Sequence, residues 1–131
     1  MTAHEAIRSM LLTSTPVVAA CKDRIRPDRL AQTDALPAIV ISITATNASW
    51  SLAGSEQGIT YSGAVQVYTE HREDADDLAM DVFHCDGKTQ EDDGATWHLF
   101  CDPPTGTALL QETETDRPIY QATVGFTLVK T

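Results

Sequence analysis

The sequence lacks most of the features that common biochemical activities require. No stretch approaches the roughly 18 to 20 consecutive apolar residues that cross a bilayer, so no membrane-spanning helix is expected. No glycine-rich loop precedes a helix to cradle a phosphate; Gly54, Gly58 and Gly63 scatter in and around one hairpin, where turns and bulges account for them. A G-x-S-x-G elbow is missing too, because Gly54-Ser55 and Ser62-Gly63 lack the second glycine at the needed spacing. Cysteine is scarce and odd in number: Cys21, Cys85 and Cys101. The opening residues MTAHEAIRSMLLTSTP do not resemble a signal peptide, so these thiols are expected to be reduced, in a cytoplasm, rather than to form a disulfide framework. Positive charge is also short, with 9 Lys and Arg against 19 Asp and Glu, for a net charge of −10. Such a surface repels phosphates and argues against gripping nucleic acid.

What is present is an ordinary globular composition. A length of 131 residues with 42% hydrophobic residues is enough for one core, and a single domain over residues 1–131 is expected. There is no internal repeat, linker or low-complexity segment. The charge is unevenly spread. Arg8, Lys22, Arg24, Arg26 and Arg29 fall in the first thirty residues, whereas acids dominate from Glu56 onward. A basic quarter on an acidic body suits head-to-tail packing of like subunits; the plainer reading is a solvated, solubility-promoting surface.

Periodicity gives the elements. Thr2 and Glu5 have capping-box spacing, and Ala3, Ala6, Ile7, Met10 and Leu11 form the stripe of a first helix. Thr15-Pro16 opens a short second helix through Val17, Val18 and Cys21. Ile25-Arg26-Pro27 reads as a short extended piece and Gln32 to Leu36 as a loop. Pro37 leads a strand to Thr44 with Ile39, Ile41 and Ile43 on one face. The turn-rich stretch from Asn47 to Gly58 separates it from a partner strand, Ile59 to Tyr68, with Val65 and Val67 inward. A further helix is expected from Glu73 to His84, striped by Ala75, Leu78, Ala79, Val82 and Phe83 and ended near Gly87. Lys88 to Gly94 reads as a polar loop, Trp97 to Cys101 and Ala108 to Glu114 as strands, and Ile119 to Lys130 as a strongly alternating strand. The expected class is α+β: a mainly antiparallel sheet, two main helices packed on one face, and a long β-hairpin.

The chemistry-bearing residues do not assemble into a convincing site. His84-Cys85 and His98-x-x-Cys101 offer zinc-type ligands, but neighbours at a helix end diverge and residues three apart on a strand face opposite ways. The acidic run Glu70 to Asp81 lacks the alternating pattern of a calcium loop and reads as a solvated helix face. No catalytic residue, metal or cofactor is therefore expected. Trp50 and Leu52 differ, as an apolar pair in a turn-rich tip with no evident core of its own to join. Together with Arg24, Arg26 and Arg29 they are the candidates for an assembly interface.

The phrases HEAIRSMLLTSTPVVAACKDRIRPDRL, LPAIVISIT, YSGAVQVYTEHREDADDLAMDVFHCDG and RPIYQATVGFTLV, taken in order, resemble the tail-terminator or tail-completion proteins of long-tailed bacteriophages and gene transfer agents. The match runs through Val17 to Pro27, the Pro-led strand Pro37 to Ile43, and Tyr120 to Phe126. Cys21 departs from the family's usual Val or Leu-Gly turn, and Lys88 to Thr107 is a long insertion. The resemblance implies a structural virion protein rather than an enzyme, at the head–tail junction of a particle assembled in the host cytoplasm. It implies a ring, commonly of about six subunits, that caps the tail tube and ends its elongation. Its partners would be its own copies, the tail tube protein and a head–tail connector or stopper, with DNA passing through the channel without specific binding. No membrane is implied. Two alternatives stand beside it: a stopper or adaptor of the same particle, and a small-ligand-binding or hydrolytic α+β domain using the His98/Cys101 region.

Overall fold

A computed structural model of the chain describes residues 1–30, 35–50, 56–112 and 118–131; the side chains of 49, 50, 56, 57 and 110–112 are outside that description. Helix α1 spans Ala3–Leu12. Its capping box is formed: the Thr2 hydroxyl accepts from the Glu5 N–H at 3.2 Å, and the Glu5 carboxylate accepts from the Thr2 N–H at 2.8 Å. Helix α2, Thr15–Cys21, carries Pro16 in its first turn, where a missing N–H is no loss. Lys22 at φ 54° then leaves the helix.

Strand β1 (Ile25–Pro27) runs parallel to β2 (Ala38–Trp50), which pairs antiparallel with β3 (Glu56–Thr69). Helix α3 (Arg72–Phe83) follows, then β4 (Thr89–Asp92), β5 (Ala95–Cys101), β6 (Ala108–Glu112) and β7 (Pro118–Lys130). The sheet order is β1-β2-β3-β7-β5-β4, and β6 also pairs with β7. Every pair but the first is antiparallel.

The register explains the core. Val65 lies between Ile41 and Val124, and Val67 between Ile39 and Ala122, so rows of inward apolar side chains cross three strands. They join Phe126, Leu128, Trp97 and Leu99 from the sheet in one buried cluster. Ala6, Ile7, Met10 and Leu11 of α1, Val17 and Cys21 of α2, and Ala75, Leu78, Ala79 and Val82 of α3 complete it. Each large aliphatic side chain buried there stabilises the fold by roughly 1.5–3 kcal/mol.

Three expectations need correction. The hairpin arms reach Trp50 and Glu56, so most of the stretch read as turn-rich is paired strand, while 51–55 lie outside the described residues. Lys88 to Gly94 is not a loop: β4 pairs with β5 across a two-residue turn, Asp93 at φ 49° and Gly94 at φ 81°. Positive φ at both positions is the turn geometry that matches strand twist. Gly87, at φ 86°, lies beyond the α3 C-cap His84, in the turn toward β4, and donates to the Leu99 carbonyl at 2.8 Å. Most of the loop expected at Gln32 to Leu36 lies outside the described residues.

Candidate assembly surface

The basic quarter divides into braces and surface. Arg8 on α1 donates from Nε to the Ile25 carbonyl and from Nη2 to the Asp23 carbonyl, both at 3.2 Å. Arg24 donates from Nε to the Pro37 carbonyl at 3.0 Å and from Nη2 to the Ala20 carbonyl at 3.3 Å, tying the end of α2 to the start of β2. Both charges serve the fold. Arg26 is half-buried on β1 and Arg29 is exposed just past it. Because β1 pairs with Ile39–Ile41, Arg24, Arg26 and Arg29 gather along one rim of the sheet. Trp50 ends β2, but its side chain, and Leu52 entirely, lie outside the described residues.

That rim continues in a feature the sequence reading missed. Past Ile41, β2 has β3 on one side and, among the described residues, no strand on the other. Thr44, Ala45, Thr46, Asn47 and Ala48 are all exposed. The signal was available: from Ala35 to Ser55 there is no charged residue, in a chain of which 21% is charged. Exposed edges usually carry Lys, Pro or bulges that block pairing. Here, among the described residues, the pairing with β3 shifts register between Ile43 and Ala45 and again between Ser49 and Trp50, and Thr44 to Ala48 carries neither Lys nor Pro. At the other side of the sheet, β6 pairs with β7 and with no further strand among the described residues, and Leu109 on it is 48% exposed.

Acidic charge occupies a different face. Glu73, Asp74, Asp76 and Asp77 are exposed on α3, the first two in its first turn, where the helix dipole favours carboxylates. The Thr107 hydroxyl donates to Asp76, and Arg72 donates to the Thr107 carbonyl at 2.9 Å while lying 5.4 Å from the Tyr120 ring centroid. Asp81 is pushed above the usual carboxylate range by burial and by Asp77, against His84. A second acidic group, Glu91, Asp92 and Asp93, marks the end of the β4–β5 turn.

The residues weighed as ligands or nucleophiles are placed as follows. His84 is exposed at the α3 C-cap and His98 half-buried in β5. Cys85 points its thiol to the Asp81 carbonyl at 3.6 Å, and Cys101 to the Val82 carbonyl at 3.9 Å. Burial pushes the Cys101 thiol up to about 12, with Cys85, Asp86 and Asp102 adding to it. Burial likewise raises Cys21 to about 11 against Arg24, and raises Cys85 against Lys88. Thiols held this way stay protonated at neutral pH and are poor nucleophiles and ligands. Among the described residues no three His, Cys, Asp or Glu converge to hold a metal ion.

No protein-family model matches the chain, and no curated protein matches it. Solved structures do. The chain is similar to one in a structure described as "Virion of native gene transfer agent (GTA) particle", with a TM-score of 0.56 over 98% of this chain and 95% of that one. The fold is shared. At 12% identity the likeness is one of fold rather than sequence, and it runs from end to end of both chains.

Proposed function

We propose that this chain is a structural protein of a phage-like particle, the ring that caps the tail tube, ends its elongation and joins tail to head. The observation that carries this reading is the end-to-end likeness to a chain of a gene transfer agent virion. The ordered phrases of the sequence, from Val17 to Phe126, point the same way independently. A ring needs a heterologous interface, with different patches of neighbouring copies meeting. The basic rim at Arg26 and Arg29 is one such patch, suited to carboxylates of the neighbouring copy. The surplus of acidic charge fits a channel through which DNA slides without sticking. On this reading the partners are the chain's own copies, commonly in a ring of about six, the tail tube protein and a head–tail connector or stopper. Trp50, Leu52, Arg24, Arg26 and Arg29 remain the proposed contact residues. Arg24 enters through the rim it braces rather than through a free charge, since its guanidinium donates to the Pro37 and Ala20 carbonyls of its own chain.

Deleting the gene in a particle-producing host tests the assignment. Tails longer than normal are expected. Normal tails joined to leaking heads would instead assign the stopper role, and unaltered infectious particles would remove every structural version.

A further inference from the structure

We infer that the outer edge of β2, Ser42–Ala48, is where a second copy of this chain docks, laying its β6 antiparallel along that edge as the next strand of the sheet. The inference rests on the ring reading and names the surface that would build it.

A strand edge offers a ladder of backbone donors and acceptors to any chain that approaches closely enough. Two acidic subunits are kept apart by charge wherever their acidic faces meet. Ser42 to Ala48 carries no charge, and neither does Ala108 to Gln111 of β6. The strands stand on opposite sides of the sheet, in the run β2-β3-β7-β6, so joining them is head-to-tail and repeats from copy to copy. The charges that flank them are complementary. Arg26 and Arg29 lie where the free part of β2 begins, and β6 ends at Glu112. Antiparallel docking brings Glu112 of the partner subunit toward Arg29 and leaves Ala108 of the partner subunit near Ala48. The free part of β2 is level with Gly125 to Lys130 of β7, whereas β6 is level with Pro118 to Gln121. Successive copies are therefore displaced along the strands, which tilts them, as closure of a sheet requires.

The backbone groups that would pair can be named. The Ile39 N–H donates to Arg24 and the Ile41 carbonyl accepts from Asp28, so odd-numbered residues face outward at the start of β2. The extra residue at Thr44 shifts that parity, and Thr46 and Ala48 face outward beyond it.

The full chain is measured by light scattering across a concentration series and by amide hydrogen exchange. Assembly is expected, with the Thr46 and Ala48 amides protected at least tenfold more in the assembly than in dilute protein. T46P/A48P removes both outward donors and should remain monomeric. T46E/A48E keeps every bond to β3, adds two negative charges, and should weaken association at least tenfold with unchanged thermal unfolding. A48C/L109C should give an oxidised ladder of linked copies, while either single substitution gives none. A wild type that is monomeric at all concentrations overturns the inference, and the gene-deletion test above then decides the ring reading by itself. Assembly that survives T46E/A48E with fast-exchanging amides, or A48C alone forming linked dimers, overturns this edge and leaves the ring standing.

Discussion

Gly63 is the residue on which the hairpin geometry depends most. A Cβ built there would lie 1.9 Å from the Ser42 carbonyl oxygen, an overlap that only backbone movement relieves. Gly63→Ala should therefore destabilise the chain by about 2 kcal/mol or more, read as a lower urea midpoint. Gly94 is the opposite case, since nothing lies within 4 Å of its missing side chain but its φ is 81°. Gly94→Val should cost about 1 kcal/mol through backbone strain alone, and Gly94→Asn much less. The thiols make a third residue-scale prediction. Cys21 and Cys101 hold their protons up to about 11 and 12, whereas the unfolded chain releases them near 9.0. Between these values the folded state binds more protons, so the stability this contributes is full below pH 9 and is lost as pH rises through the folded values. Urea midpoints should fall over that window in the wild type and fall less in C21A/C101A.

At the scale of elements, the parts legible in sequence were those with one buried face. The stripes of α1 and α3 and the alternation of β7 match the buried residues nearly position by position, because a half-buried element must repeat at its own period. The distal arms of β2 and β3 were not legible. Thr44 to Ala48 is exposed, so no core imposes alternation, and Asn, Ser, Ala and Gly read as turn composition. β4 was missed for a related reason. Its Thr-Gln-Glu-Asp is polar throughout, although Asp93-Gly94 is a strong two-residue hairpin signal and should have outweighed it. The parallel pairing of β1 with β2 has no local signature, since three residues carry none. One element-scale consequence is direct: Thr2→Ala removes the α1 cap and should lower stability by about 1 kcal/mol, with the loss of helical signal confined to that first turn.

At the scale of the whole molecule, the described residues form a core sealed by three helices and a sheet whose outer rim is basic at Arg26 and Arg29 and uncharged from Ser42 to Ala48. The assembly candidates were only partly readable. Arg24, Arg26 and Arg29 were legible as a cluster, yet nothing in the sequence distinguished a brace such as Arg24 from an exposed charge such as Arg29. That distinction depends on the carbonyls of Ala20 and Pro37, which meet Arg24 only once the chain is folded. If charge complementarity supports a ring, association should weaken as salt rises from about 0.1 to 1 M, since exposed pairs are screened over that range. Light scattering at the two ionic strengths checks it. The central claim is that this chain is a ring component of a phage-like particle, and imaging purified particles with the chain labelled tests it most directly. The account predicts label confined to the head–tail junction at about six copies per particle; particles that are complete and carry no label would contradict it.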